Sequence, residues 1–222
     1  MREIVLDTET TGLDPVTGHR IVEIGCVELI NHVPTGEHRQ WYLNPERDMP
    51  AEAEAVHGLS AAFLADKPLF SAVAETFLAF LGNASLVIHN AEFDMKFVNA
   101  ELQRCGLAPL SANQVIDTVV LARRMFLGAS VSLDALCRRF SINNTSRTVH
   151  GALLDAQLLA DIYFELVGGR EPKLALTVST RVAVAATVTR TSRPPRPHVV
   201  PPKELEAHKA FIAKLKSPLW RQ

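Results

Sequence analysis

The chain has 222 residues, of which 47% are hydrophobic and 21% are charged, an ordinary composition for a globular protein. This length suits one domain with an extension and excludes two large domains. No apolar run is long enough to cross a bilayer, and the acidic residues among the first ten argue against a secretory signal, so no membrane association is expected. The three cysteines are odd in number and far apart in the sequence, so neither a disulfide framework nor a zinc site is expected. The reducing cytoplasm is then the simplest compartment for this protein.

The net charge of −1 conceals an asymmetry between the two ends of the chain. Residues 171–222 contain ten Lys and Arg and three Glu, a net charge of +7, whereas residues 1–170 contain 13 basic and 21 acidic residues, a net charge of −8. Proteins that bind nucleic acid through its phosphates are usually basic. If the acidic part handles nucleic acid, bound cations or a partner must therefore supply the positive charge.

Apolar periodicity predicts one α/β domain over residues 1–170. Three strands come first, at Glu3–Asp7, Arg20–Ile30 and Gly36–Leu43, and their short connections favour antiparallel pairing. Two further strands, Leu86–His89 and Val115–Ile116, alternate with helices. The predicted helices are Ser71–Leu81, Phe93–Cys105, Thr118–Phe126, a helix capped by Ser132 that runs to Phe140, and Leu153–Val167.

The composition changes after Gly169. Residues 171–202 begin with a stretch rich in Val, Ala and Thr and end with five prolines in 193–202, which indicates a flexible linker, with a strand over 172–192 as the alternative. Residues 203–222 predict a helix over Lys203–Leu215 that is followed by a terminal Leu-Trp pair. An apolar end on a basic helix favours a docking peptide over a second core.

The first of three acidic blocks contains Asp7 and Glu9. Side chains two residues apart on a strand point to the same face, so these carboxylates lie together. Two carboxylates so close resist joint ionisation unless a cation lies between them, and hard oxygen ligands suit Mg²⁺ or Mn²⁺. A strand end with two solvated acids is the equally weighted alternative.

The other two blocks have structural explanations when each is taken alone. Asp94 falls in the first turn of a predicted helix, where the helix dipole favours an acid. His150 and Asp155 would lie about 140° apart within one helix. They converge more readily if His150 precedes the helix, with Gly151 as the turn, and Asp155 lies on its second turn.

The combination of the three blocks is more specific than any one of them. Asp7, Glu9, Asp94 and Asp155 together predict a site for two divalent cations, Mg²⁺ or Mn²⁺, that serves phosphodiester hydrolysis and offsets the phosphate charge. His150 is the predicted general base, because an unperturbed pKa of about 6.5 lets an imidazole take a proton from water near neutral pH.

The blocks DTETTG, HNAEFD and HGALLDA resemble the three exonuclease motifs of the histidine-containing branch of the DEDD superfamily. Within it, the chain is most similar to the proofreading epsilon-subunit family of bacterial DNA polymerase III. That similarity runs through nearly all of 1–170 and resumes over roughly the last 24 residues, and it is carried by VLDTETTGLDP, IVEIGCVE, AVHGLS, LVIHNAEFD, VIDT, SLDALC, RTVHGALLDAQLLADIY, VVPPKELEAHK and the terminal LW.

The resemblance implies a ribonuclease H-like fold, with a mixed sheet of three antiparallel and two parallel strands flanked by helices. It implies hydrolysis from the 3′ end of DNA that releases deoxynucleoside 5′-monophosphates. Asp7, Glu9 and Asp155 would ligate the tightly held metal ion, and Asp7 would bridge to the second. Asp94 would act at the second ion directly or through water, and His150 would be the general base.

The resemblance also implies a substrate site. Glu52 and His57 match family positions that contact the terminal nucleotide, beside the metal-binding carboxylates. Thr10 and Leu13 match a backbone contact and a base wedge, respectively. From the residues alone, Glu52 reads as a solvated acid and His57 as a turn residue.

Three partners besides the DNA 3′ end follow from the resemblance. Residues 203–222 would dock on the polymerase alpha subunit. Residues 171–176 are the nearest match to a sliding-clamp peptide of the form Gln-x-x-Leu/Met-x-Phe/Leu, but Glu171 replaces the Gln, which predicts a weak contact or an ordinary linker. Some members of the family bind a small theta subunit, which is a candidate third partner.

Two alternatives to a proofreading subunit have different tests. A stand-alone exoribonuclease of the same superfamily would have an identical site, and only the docking tail favours DNA replication. A non-catalytic scaffold would have lost one of the four carboxylates or His150, and all five residues are present.

Overall fold

A computed structural model describes residues 1–145, 147, 149–168 and 200–215. The strands are β1 (Arg2–Thr10), β2 (Ile21–Ile30), β3 (Val33–Tyr42), β4 (Ser85–Ile88) and β5 (Val115–Asp117). They form one five-stranded sheet in the order β3-β2-β1-β4-β5. The β1–β2 and β2–β3 pairs are antiparallel, and the β1–β4 and β4–β5 pairs are parallel, which confirms the predicted mixed sheet.

Helices flank the sheet. Within residues 1–168 the described helices are α1 (Ala51–His57), α2 (Ala61–Leu64), α3 (Phe70–Leu81), α4 (Ala91–Arg104), α5 (Thr118–Met125), α6 (Leu133–Phe140) and α7 (Ala152–Leu166). A further described helix, α8 (Pro202–Ala213), belongs to the tail. The six helices predicted from periodicity, α3 to α8, are all present, and the Ser132 side chain caps α6 as expected. Helices α1 and α2 were not predicted, because seven and four residues are too few to show a helical period.

The first strand is longer than predicted. Pairing with β2 continues past Asp7, which lies opposite Gly25, to Glu9, which lies opposite Glu23. The two acids therefore lie within a strand and not after its end. Backbone pairing with β2 holds their side chains in place more firmly than a loop would.

The two faces of the sheet have separate cores. Ile4 and Leu6 pack with α3 and α4 on one face, whereas Val5 packs with Leu159 and Tyr163 of α7 on the other. This alternation along β1 is the strand periodicity of two residues. It decides which helix each side chain further along β1 will face.

The tail contributes one described helix, α8, within two residues of its predicted bounds. Residues 169–199 and 216–222 lie outside the described residues, and with them all but the last three residues of the predicted linker, the 171–176 segment and the terminal Leu-Trp pair. The boundaries at 170 and 202 thus stay predictions. Of the helices in the described ranges, none is long and apolar enough to cross a membrane.

Candidate active site

The five residues predicted from the sequence meet at one cavity. It has a volume of about 330 Å³ and lies where β1, the start of α4 and the start of α7 come together. Asp7, Glu9, Asp94, His150 and Asp155 all line it. In sheets with parallel strands, ligands commonly bind at the carboxyl ends of those strands, where α4 here follows β4.

The alternation of β1 explains how the carboxylates converge from two sides. Asp7 and Glu9 share the face of Val5, which packs against α7, the helix that carries Asp155. Thr8 shares the face of α4, and its Oγ1 donates a buried hydrogen bond of 2.7 Å to Oδ1 of Asp94. Asp94 therefore reaches the site from the opposite face of the sheet.

Asp117 holds the start of α4 in place. Its Oδ2 accepts a hydrogen bond of 3.1 Å from the backbone N–H of Ala91, and its Oδ1 caps α5 through Val119 at 2.8 Å. Asn90, directly before α4, has the left-handed conformation with φ 66°. Asp94 lies in the first turn of α4, as predicted.

Gly25 allows α7 to begin directly against the sheet. A Cβ atom at Gly25 would lie 2.2 Å from the backbone carbonyl carbon of Ala152, closer than any side chain permits. His150 lies in the loop before α7, as predicted, and its backbone N–H donates to the Val56 carbonyl at 3.0 Å. The prediction for Asp155 was wrong by one turn: it lies on the first turn of α7, because the helix begins at Ala152.

One group of described residues has donor atoms placed to hold a metal ion. Glu9, His150 and Asp155 each offer an atom within 4.8 Å of the other two. Asp7 and Asp94 line the same cavity but lie outside this group of three. A set dominated by carboxylate oxygens suits a hard divalent cation such as Mg²⁺ or Mn²⁺.

Burial makes the carboxylates hard to ionise together. It raises the pKa of Glu9 to about 8, with further contributions from the charges of Asp155 and Glu23. It also raises the pKa of Asp94 to about 7, against the hydrogen bond from Thr8, which lowers it. The pKa of Asp7 lies well above its ordinary value because of burial and then the charges of Asp94 and Glu9. A bound cation would favour the ionised forms of all three.

Arg147 enters the same cavity and contacts two residues of the site. Its Nε and Nη2 donate to Oδ1 and Oδ2 of Asp155 at 2.5 and 2.7 Å. The same Nη2 lies 2.8 Å from Nδ1 of His150, and Nη1 donates to Oδ1 of Asp134 at 2.9 Å. The side chains of Arg147 and Asp155 are only 8% and 4% exposed, so the ion pair between these two residues is shielded from water.

A second cavity adjoins the first. Its volume is about 490 Å³, and both cavities are lined by Thr8, Glu9 and Phe93. The predicted substrate residues meet there, because the lining also includes Thr10, Leu13, Glu52 and His57. Acidic groups thus dominate one cavity, while the adjoining one also offers apolar side chains.

His57 is the unusual residue of the second cavity. Its side chain is buried, with 4% of the residue exposed, and burial lowers its pKa. Nδ1 accepts a hydrogen bond of 3.0 Å from the backbone N–H of Leu59, so a neutral ring carries its proton on Nε2. Nε2 makes no well-formed hydrogen bond among the described residues, although a contact with the Thr10 backbone acts to raise the pKa of His57. A buried polar atom without a partner commonly marks the place of a ligand.

Comparison with known proteins decides the family. Residues 4–163 match the family model described as Exonuclease. A DNA polymerase III subunit epsilon of Rickettsia prowazekii (strain Madrid E) is 50% identical over 222 residues, which cover 97% of each chain. This chain belongs to the epsilon-subunit family of exonucleases. It is a 3′–5′ exonuclease, and this exonuclease family depends on divalent metal ions.

Solved exonuclease structures have the same fold. Exonuclease X in complex with 5′ overhanging duplex DNA is 27% identical, with a TM-score of 0.59 over 75% of this chain and 92% of that chain. The nuclease domain of 3′hExo, a DEDDh family member bound to rAMP, is 20% identical, with a TM-score of 0.65 over 75% of this chain and 91% of that chain. The predicted ribonuclease H-like fold is confirmed.

Sequence reasoning missed three residues that build this exonuclease site. Arg147, Asp117 and Gly25 lie in segments that carry the family resemblance, yet none was singled out. Arg147 was the easiest of the three to recognise, because it is a basic residue three positions before His150. The roles of Asp117 and Gly25 are contacts between distant elements, which no local pattern shows.

Proposed function

We propose that this exonuclease removes mispaired nucleotides from the 3′ end of DNA as the proofreading subunit of the replicative DNA polymerase III. The observation that carries the proposal is that the two cavities are neighbours, with Thr8, Glu9 and Phe93 in the lining of both. The acidic cavity suits a phosphodiester with its cations, and the adjoining one suits the sugar and base of a terminal nucleotide.

We assign two divalent cations, Mg²⁺ or Mn²⁺, to the acidic cavity. Glu9 and Asp155 would hold the tighter ion together with Asp7, and Asp7 and Asp94 would hold the second. The raised pKa values of Asp7, Glu9 and Asp94 support this assignment, because burial and mutual repulsion outweigh the compensating charge of Arg147 at Asp7 and Glu9. When bound, such cations polarise the phosphoryl group and neutralise its charge.

His150 would act as the general base. Its side chain is 49% exposed, so solvent water can reach the ring. The imidazole would take the proton of a water molecule whose oxygen attacks the terminal phosphorus. The 3′ oxygen of the penultimate nucleotide would leave, which yields a deoxynucleoside 5′-monophosphate and a shortened 3′ end.

The second cavity would hold the terminal nucleotide. The Nε2–H of His57, at the end of α1, would donate to an oxygen of that nucleotide, and Glu52, in the first turn of α1, would also contact it. Leu13, an exposed apolar side chain at the rim, would pack against a base, and the Thr10 backbone would contact the nucleotide. Asp7, Glu9 and Asp155 would meet the substrate through the cations.

Digestion of labelled oligonucleotides tests the proposal. With Mg²⁺ or Mn²⁺, the purified protein should shorten DNA from its 3′ end, and a mispaired end faster than a paired one. Asp7→Asn should lower the rate more than about 100-fold, since even indirect partners of metal ligands cost 10–100-fold. The exposed substitution Glu75→Gln is the matched control. Full cleavage by a folded Asp7→Asn protein would overturn the metal assignment.

Matched RNA in the same assay separates the alternatives. Faster digestion of RNA than of DNA would favour the stand-alone exoribonuclease, and absence of cleavage of either would favour the scaffold. The proposed organisation is an exonuclease domain over 1–170, a linker over 171–202 and a segment at 203–222 that docks on the polymerase alpha subunit. A weak clamp contact at 171–176 and a theta contact complete the proposed partners of this cytoplasmic enzyme.

A further inference from the structure

Arg147 brings a positive charge into the acidic cavity. Among the described residues that line this cavity it is the one Lys or Arg, and it lies beside four acids assigned to metal binding. Its planar guanidinium contacts Asp155 through two parallel hydrogen bonds, a geometry that a carboxylate matches well. The protein therefore supplies its own cation where a metal ion is expected.

The contacts of Arg147 engage atoms that the proposed reaction needs. Both oxygens of Asp155 accept hydrogen bonds from the guanidinium. Nη2 also donates to Nδ1 of His150, which requires that nitrogen to be unprotonated. A neutral His150 ring in this arrangement carries its proton on Nε2 and has no free nitrogen to accept another. Arg147 thus occupies a metal ligand and blocks the proposed base.

Asp134 offers the guanidinium a second anchor. It accepts from Nη1 of Arg147 at 2.9 Å and from the amide of Asn144 at 3.0 Å. The Asp134 side chain is 46% exposed and lies outside the group of three that could hold a metal. Arg147 can therefore leave Asp155 while it remains bound to Asp134.

We propose that Arg147 is an internal counter-cation that a divalent metal ion displaces from Asp155, which frees both Asp155 and Nδ1 of His150 for the reaction. The inference rests on the proposed function, because it takes Asp155 as a metal ligand and His150 as the base. Metal binding is then an exchange of one cation for another. In the metal-free protein Arg147 offsets the repulsion among the carboxylates. Because the metal must displace it, Arg147 also lowers the affinity of the site for metal.

A structural role for Arg147 predicts the opposite effect. If the guanidinium stays on Asp155 and orients it in the metal-bound protein, loss of Arg147 will weaken metal binding. If the guanidinium competes with the metal, its loss will strengthen binding. The direction of the change in metal affinity therefore separates the two roles without any measurement of activity.

Direct binding of Mn²⁺ to the full chain, followed by electron paramagnetic resonance, measures this direction. Arg147→Gln should lower the Kd for Mn²⁺ by about tenfold, the size of one charge-assisted hydrogen bond. Asp134→Asn should raise the Kd, because Arg147 then has Asp155 as its remaining carboxylate partner. The exposed substitution Arg123→Gln, which makes the same change in net charge, should leave the Kd unchanged.

A second measurement follows the arginine itself. The Nε–H resonance of Arg147, assigned by its absence in Arg147→Gln, should shift when Mg²⁺ is added to the wild-type protein and should not shift in Asp155→Asn. Arg147→Lys keeps the charge without the paired hydrogen bonds. Arg147→Lys should give a Kd between those of the wild type and Arg147→Gln. It replaces Arg147→Gln in the binding experiment if that variant does not fold.

Each result decides a different point. An unchanged or raised Kd in Arg147→Gln, or in Arg147→Lys if only that variant folds, overturns the displacement while the metal site itself stands. An Arg147 Nε–H resonance that does not shift on addition of Mg²⁺ likewise overturns the displacement and leaves the metal site standing. A wild-type protein that binds no Mn²⁺ overturns the proposed function. Tighter binding in Arg147→Gln with weaker binding in Asp134→Asn is the result that supports the inference.

Discussion

Asp94 shows how burial changes the meaning of an acidic residue. In the sequence, the dipole of α4 is sufficient reason for an acid in its first turn. In the structure Asp94 is buried, accepts a hydrogen bond from Thr8 and shares a cavity with four other carboxylates. A dipole alone does not offset that burial, since the pKa of Asp94 rises to about 7 for this reason. The residue therefore belongs to the site.

At His57 the prediction concerns a single donor. His57→Asn keeps an acceptor for the N–H of Leu59 but removes the buried Nε2 donor. We expect the KM for a DNA 3′ end to rise by about three- to tenfold with a smaller change in kcat, because a hydrogen bond to an uncharged oxygen of the nucleotide contributes about 0.5–1.5 kcal/mol. Steady-state kinetics on a single-stranded oligonucleotide measures this.

The matched variant is His57→Gln, whose amide nitrogen can replace Nε2 while the acceptor for Leu59 is lost. It should retain a KM close to the wild type and lower the melting temperature. Equal KM values for the wild type and His57→Asn would exclude His57 from substrate binding.

At the scale of elements, the approach of α7 to β2 places Asp155 and His150. Gly25 is the position that permits it, because its missing Cβ leaves room for the backbone of Ala152. The sequence predicts both elements from their periodicity, α7 within one residue at each end. Periodicity does not show how closely two elements pack, since that distance depends on residues that are far apart in the chain.

Gly25→Ala should therefore disturb the site through the fold. The added methyl group would overlap backbone atoms of α7 and push the start of that helix from the sheet, at a cost of about 1–3 kcal/mol. We expect a lower melting temperature together with weaker Mn²⁺ binding. Gly151→Ala is the matched control, because a Cβ there meets no atom within 4 Å. A Gly25→Ala protein as stable as the control would show that α7 is not held at this contact.

For the whole molecule, the clustered acids predict how stability depends on pH. Folded Glu9 and Asp94 have pKa values of about 8 and about 7, above the ordinary 4.5 and 3.8, so the folded state binds more protons than the unfolded state between these limits. Stability must then fall as pH rises through this range. Burial lowers the pKa of His57 and His89, and those two act in the opposite direction at lower pH.

Thermal unfolding in a chelator from pH 7 to pH 9 isolates the effect of the acids. The melting temperature should fall over this range, Glu9→Gln should flatten the dependence, and Mg²⁺ should restore stability most at the higher pH. A melting temperature that rises from pH 7 to pH 9 in the wild type would contradict the raised pKa values.

The tail carries the prediction about assembly. Helix α8 exposes Leu205 and Phe211, the latter by 60%, and the charge of +7 on residues 171–222 suits an acidic partner. Deletion of residues 203–222 should leave nuclease activity intact and abolish co-purification with the polymerase subunit. Phe211→Ser should weaken co-purification and Lys209→Gln should have little effect. Undiminished co-purification after the deletion would exclude the tail as the docking segment.

The sequence by itself predicted the fold class, and it picked out the five residues that the structure brings together at the acidic cavity. These predictions rest on local patterns, namely apolar strands, helical periodicity and acidic blocks at the ends of those elements. Such patterns involve residues that are close in the chain, so they can be recognised from the sequence. It left open whether Asp94 was a helix-dipole residue, and it did not single out Arg147. It also did not place α1 and α2, which are too short to show a period.

Only the tertiary structure decided what surrounds those five residues. The guanidinium of Arg147 on Asp155, the unpartnered Nε2 of His57 and the close approach of α7 at Gly25 all depend on segments distant in sequence. Burial and charge at a site are sums over such neighbours, so they appear only when the chain is folded. The acids could be identified from the sequence, whereas the position of Arg147 among them became apparent only in the folded structure.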